Sequence, residues 1–152
     1  VKYYKRRIDM QYSKKGNILV VRLFPEEDVL ESLKQALLKT GIKNAVILSG
    51  IGMLRDIELK VFTGKGKYKS KLFKKDYELV SFSGNIVRAE EGHILHIHTA
   101  IADHSYRCYA GHFGGGKVAV TLEAVIMDVP IKMARRLEAG TKLTGLFIED
   151  SK

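Results

Sequence analysis

The sequence predicts an α+β fold: a single domain, residues 1–152, in which one main helix packs on an antiparallel sheet of about seven strands. Three observations lead there. Only Pro25 to Gly41 carries apolar residues at helical spacing. About seven other segments alternate or run apolar between Gly, Pro and Asn punctuation, as strands do. The chain has 152 residues, 45% hydrophobic and 28% charged, which suits one domain with a real core.

Lys2 to Lys15 is basic, with Tyr3, Tyr4 and Tyr12 interleaved. It reads either as a solvated edge strand ending at the Lys15-Gly16-Asn17 turn or as an arm that stacks bases and neutralises phosphate. Ile18 to Phe24 is a mostly buried strand. The helix is predicted over Pro25 to Gly41. Pro25 pre-sets φ, Glu26, Glu27 and Asp28 complement the positive end of the dipole, and Gly41 supplies the left-handed cap. Val29, Leu30, Leu33, Ala36 and Leu37 form its apolar face.

Ala45 to Ser49 is an apolar strand ending in a turn or bulge at Gly50-Ile51-Gly52, and Arg55 to Thr63 alternates as the next strand. Lys65, Lys67, Lys69 and Lys71 then recur with period 2, which puts them on one face if the segment is extended. They either block edge-to-edge pairing or track phosphates. Tyr77 to Glu90 reads as one strand with an irregularity at Gly84-Asn85. Gly92 to Asp128 reads as two strands flanking a Gly-rich turn, and the second, Lys117 to Asp128, points Val118, Val120, Leu122, Ala124 and Ile126 one way. Beyond Pro130, Ile131 to Leu137 is predicted as a short helix and Leu143 to Ile148 as a last strand.

A formal net charge of +9 favours anionic partners such as nucleic acid. No apolar run approaches the roughly 18 residues of a membrane span, so no membrane partner is expected. Val1 to Tyr12 lacks the apolar core of a signal peptide. The single cysteine, Cys108, precludes an internal disulfide and fits a reducing, cytoplasmic location.

All five histidines fall between Gly92 and His112. On an extended strand His96 and His98 share a face, about 6–7 Å apart at the backbone, while His93 takes the other. That spacing suits two ligands of one metal. His112 returns to them if Tyr106 to Ala110 pairs back on the histidine strand. Zinc takes three or four N, S or O ligands, so His96, His98 and His112 are the candidate set, with Asp103, His104 and Glu123 as auxiliaries. The alternative is that the histidines are hydrogen-bonded polar residues within the fold or at a subunit contact. Gly111 to Val118 (G-H-F-G-G-G-K-V) fails as a phosphate loop: its eighth residue is Val118, not Ser or Thr, and a strand follows it, not a helix.

The run His96 to Ile126 resembles the plants-and-prokaryotes-conserved (PPC) domain family, whose pattern is His-x-His, a strand ending in Asp, Gly-Gly-His, a Gly-containing turn and a strand bearing Glu. His96, His98, Asp103, Gly111, His112 and Glu123 stand at those positions. Y-E-L-V-S-F-S-G-N-I, A-V-I-L-S-G-I-G and Pro25-Glu26-Glu27-Asp28 resemble further family segments, with Glu26 in place of a Gly and Ala110 in place of the first Gly of Gly-Gly-His. The resemblance implies an α+β homotrimer with a histidine site near subunit contacts. The Arg-Gly-Arg-Pro motif that joins the domain to DNA in plant relatives is absent. DNA association would rest on basic charge, with Arg7, Lys67, Lys69 and Lys71 as phosphate contacts. Two functions therefore stay open: a non-enzymatic, DNA-associated trimeric binding module, or a zinc-dependent enzyme or small-ligand-binding protein using His96, His98 and His112. No catalytic residue is assigned in the first.

Overall fold

The structure, a computed structural model, describes residues 9–149. Among these, β1 (Gln11–Lys15), β2 (Ile18–Leu23), α1 (Val29–Thr40), β3 (Ala45–Gly64), β4 (Lys67–Phe73), β5 (Tyr77–Ala89), β6 (Gly92–Ala102), β7 (Cys108–Asp128), β8 (Met133–Leu137) and β9 (Thr144–Ile148) follow in order. Seven strands form one antiparallel sheet in the order β1-β2-β7-β6-β5-β3-β4, and β8 pairs with β9 in a separate hairpin. The predicted class holds: α+β, one helix, a seven-stranded antiparallel sheet.

Strand β7 also pairs with β3 along most of its length. Because β3 pairs with β5, β5 with β6, and β6 with the first residues of β7, these four strands close on themselves. The enclosed side chains include Phe82, Ile97, Ile101, Leu54 and Phe113, all buried. Phe82 and Phe113 meet edge to face at 5.4 Å between ring centroids. Helix α1 covers the rest of the core with Val29, Leu33, Ala36 and Leu37.

The helix starts at Val29, not Pro25. Asp28 is its cap and accepts the Glu31 N–H at 2.9 Å, while Gly41 ends it at φ 70°. Pro25 to Asp28 form a turn instead, because the Glu27 carboxylate accepts the backbone N–H groups of Phe24 (2.7 Å) and Met10 (3.1 Å). Glu26 adopts φ 73°, the left-handed backbone that favours glycine, where the family pattern carries Gly. Its carboxylate pairs with Arg55 at 2.8 Å.

Five further expectations are corrected. Ala45–Gly64 is one strand that runs on through bulges, so Gly50-Ile51-Gly52 does not end it. Gly84 and Asn85 sit in regular register opposite Ile97 and His96; the irregularity lies between Leu79 and Ser81. Gly84 is required by close approach, since a Cβ there would collide with the His96 carbonyl oxygen. The Gly114–Gly116 stretch lies inside β7, and the chain turns earlier, at Asp103 to Arg107, where the Asp103 carboxylate accepts the N–H groups of Ser105 and Arg107. Val120 is exposed because the bulges in the β3–β7 pairing shift the alternation upstream of Leu122. Met133–Leu137 is a strand, not a helix: its helix-forming residues are overridden by cross-strand pairing with β9.

His93 is buried inside the fold, with Nε2 2.7 Å from the Ile42 carbonyl oxygen. An acceptor there requires Nε2 to carry the proton, and Nδ1 then has no partner. Burial, only partly offset by the Ile42 bond, holds the imidazole below its ordinary pKa of 6.5. At higher pH the folded and unfolded imidazoles are both neutral and stability is complete. Below 6.5 the unfolded chain takes up a proton that the folded His93 refuses, so stability falls. The Tm of metal-free protein should therefore drop between about pH 7 and about pH 5, and His93→Gln should flatten part of that drop. An unchanged pH slope in the variant would refute this account.

Candidate metal centre and its groove

Antiparallel pairing of β6 with β7 sets His112 directly opposite His98. Opposed side chains in such a pair have Cβ atoms about 4.5–5.5 Å apart. His96 lies two residues along β6 on the same face. The three imidazole centroids are 5.2 Å (His96–His98), 5.2 Å (His96–His112) and 5.7 Å (His98–His112) apart. One nitrogen from each falls within 4.8 Å of the others, and this is the only such group of three metal-ligating side chains among the described residues. His96 and His112 are half-buried; His98 is exposed and free to turn.

Burial first, then the Arg135 guanidinium and the neighbouring imidazoles, push His96 down to about 4. Burial also lowers His112, with His98, Lys60 and Arg135 adding to it and Glu58 opposing. Both rings are therefore neutral at physiological pH and keep a lone pair for a Lewis acid. Nδ1 of His112 is buried without a hydrogen-bond partner, so the fold leaves that ring unsatisfied. Three imidazole nitrogen donors fit zinc or another borderline divalent ion, whereas calcium and magnesium want oxygen. Zinc–nitrogen bonds of about 2.0–2.1 Å would need the three nitrogens closer together than the 4.8 Å limit within which they lie. The residues present fit a metal.

The surroundings come from four other strands. Lys60 of β3 pairs with His112, and its ammonium sits 3.2 Å from the Glu58 carboxylate. A hydrogen bond from Ser70, with Lys60, holds Glu58 below the usual carboxylate range against the upward pull of burial. That carboxylate lies over Gly114, where a Cβ would strike it. The Tyr68 ring of β4 packs 5.6 Å from His112. Asn85 of β5 stands opposite His96. Arg135 of β8 donates to the Asn85 side-chain oxygen and to the Thr144 carbonyl at 3.2 Å. Burial lowers the Arg135 guanidinium below its ordinary value. Hairpin β8–β9 thereby walls a groove of about 690 Å³, lined by His96, His112, Arg135, Tyr68, Leu95 and Leu146 among others.

The sequence-predicted auxiliaries are not brought to the triad. Asp103 is committed to Arg107 at 2.8 Å and to the turn that it caps. His104 follows it in that turn, and both line a separate cavity with Lys71 and Tyr109. Glu123 is exposed, opposite Arg22 of β2 and Ile51 of β3, past the Gly-rich bend of β7. Lys67, Lys69 and Lys71 are exposed on the edge strand β4. By register they share a side with Leu59 and Val61, whereas Tyr68 shares the side of His112, so lysines and triad take opposite faces. Arg7 lies outside the described residues. Sequence reasoning missed Arg135, Asn85, Glu58, Lys60 and Tyr68. Only the Glu58/Lys60 alternation carried any signal, and it did not say which strand would lie beside it.

The fold is shared with solved proteins. A candidate DNA binding protein from Bacteroides thetaiotaomicron superposes with TM-score 0.85 at 26% identity, over 92% of this chain and 98% of that one. A plant- and prokaryote-conserved (PPC) protein from Pyrococcus horikoshii gives 0.77 at 27% identity, over 93% and 96%. A metal-containing protein from Archaeoglobus fulgidus gives 0.79 at 23% identity, over 91% and 97%. Curated relatives include the bifunctional protein GlmU of Synechococcus, 25% identical over 87% of this chain, which spans only 20% of that protein's length. The profile of the Plants and Prokaryotes Conserved (PCC, also written PPC) domain matches residues 10–130, and on that match, together with the shared fold, the chain belongs to the PCC domain family.

Proposed function

We propose that this chain is a non-enzymatic, homotrimeric binding module that holds one divalent metal, zinc first, on His96, His98 and His112. The observation that carries the reading is the convergence of three imidazole nitrogens within 4.8 Å on one face of the β6–β7 pair. The metal-containing fold neighbour from Archaeoglobus fulgidus supports it. His96, His98 and His112 would hold a zinc with fewer than four protein ligands, and the ion would supply Lewis acidity there. The acids that an enzyme would need are elsewhere: Asp103 is tied into its turn and Glu123 is exposed on the far part of β7. Glu58, the acid next to the triad, is held by Ser70 and Lys60. Protein prepared without a tag should carry about one zinc per chain, and His96→Ala with His98→Ala should abolish it. Retention of the metal by the double variant, measured by elemental analysis, would end the reading.

The homotrimer follows from the resemblance and from an outward apolar surface. Val20, Leu48, Ile51, Val80 and Val120 are 48–58% exposed. Val20 faces Val125 across β2–β7, and Ile51 faces Glu123 across β3–β7, on the sheet side away from the core. Apolar side chains clustered in this way mark an interaction surface. Glu123 and Arg22 would then be polar contacts among them. Light scattering should give three times the chain mass of 17.1 kDa. Ile51→Lys with Val120→Lys should release monomer; a wild-type monomer would exclude the assembly.

A second role, DNA association, is favoured by the exposed row Lys67, Lys69 and Lys71, by the net charge of +9 and by the Bacteroides neighbour. Arg7 would add a fourth phosphate contact. Such contacts carry no base specificity. Each phosphate neutralised contributes about −0.9 to the slope of log K against log salt, so changing the three lysines to Gln should flatten it by about three per chain bound. Binding that is absent at low salt, or insensitive to salt, would remove this role.

A further inference from the structure

In the groove beside the triad, which Glu138 and Lys142 also line, Arg135 has no ion-pair partner among the described residues. Arg135 is half-buried, yet its partners are a neutral amide oxygen (Asn85) and a backbone carbonyl (Thr144). Among the described residues no carboxylate forms an ion pair with it. Each terminal nitrogen keeps one uncommitted N–H, and Nε–H is buried without a partner. The triad contributes no negative charge, so a divalent ion on it would add two further positive charges. Lys60 is already matched by Glu58 at 3.2 Å. A desolvated cation of this kind is costly unless an anion completes it.

We propose that the groove binds a small carboxylic acid with an apolar body, its carboxylate held between Arg135 and the open position of the metal. The planar guanidinium fork matches the two oxygens of a carboxylate. A phosphate dianion would want more donors than Arg135 and Lys142 offer, without a glycine-rich nest of backbone N–H groups behind them. Tyr68, Leu95, Leu143 and Leu146 give the groove apolar wall beside Glu138 and Lys142. A volume of about 690 Å³ is in the range of small-molecule sites. The hairpin that brings Arg135 lies outside residues 10–130, so this part of the site is built by a segment beyond the matched domain.

The second anchor rests on the metal reading, and the test keeps the two apart. Zinc content is measured by elemental analysis, and benzoate binding by calorimetry, for wild type, Arg135→Met and Arg135→Lys. Circular dichroism checks that each variant is folded. Wild type and both variants should hold the same zinc. Benzoate should bind zinc-loaded wild type, at least about tenfold more weakly to Arg135→Met, with Arg135→Lys between them. Inorganic phosphate should bind more weakly than benzoate. Benzoate binding that is undetectable in zinc-loaded wild type, equal in Arg135→Met, or weaker than phosphate binding would overturn the inference and leave the metal site standing. If wild type takes up no zinc, the metal reading fails alone. Benzoate binding to metal-free protein that is lost in Arg135→Met would then uphold the Arg135 anchor, and its persistence there would overturn it.

Discussion

Backbone hydrogen bonding along β7 is the constraint on which the rest of the molecule depends. A 21-residue strand carries donors and acceptors on both edges, and those away from water must be paired. One edge pairs with β3 along most of its length. The other is shared between β6 at its start and β2 at its end. That division closes β3, β5, β6 and β7 on themselves, frees β2 to carry β1 at the sheet edge, and gives α1 a continuous apolar surface to cover. It also brings His112 opposite His98. A one-residue slip in the β6–β7 register would turn His112 inward and Phe113 outward, removing the cluster and opening the core together.

The local electrostatics follow from this geometry. Three imidazoles crowd one patch in which burial disfavours the charged ring, and Arg135 and Lys60 act in the same direction. For His96 and His112 desolvation disfavours the charged ring more than any single neighbour does. Neutral rings could hold a metal, and on the proposed reading the nearby cations would favour an anion with it. Glu58 does not relieve this charge, because its carboxylate is already held by Ser70 and Lys60. Stability and site chemistry thus meet on the same residues: Lys60 pairs β3 with β7, and Gly114 leaves room for the carboxylate beside it.

Where a feature depends on neighbours in sequence, it was legible. Asp28 and Gly41 cap the helix as their chemistry requires, although Glu27 draws the residues before Asp28 into a turn. The edge position of the lysine-rich strand was visible in its alternation. Where a feature depends on a partner strand, local pattern misled. Met133–Leu137 has helix-forming residues and becomes a strand because β9 lies beside it. Gly114–Gly116 reads as a turn and is instead part of β7, paired with β3. Glu123 occupies a family position for a site carboxylate, yet within one chain it faces Arg22 and Ile51, not the triad.

By itself the sequence determined the class of the fold, the helix, the alternation of the strands and the shared face of His96 and His98. Each of these follows from a backbone period of 3.6 or 2 that acts within a single segment. Only the tertiary structure decided that His112 completes the set, that Asn85 and Arg135 stand beside it, and that Asp103 and Glu123 do not. Those placements are set by register between strands distant in sequence and by a hairpin that folds back across β5. No local period encodes which residue of one strand will oppose which residue of another.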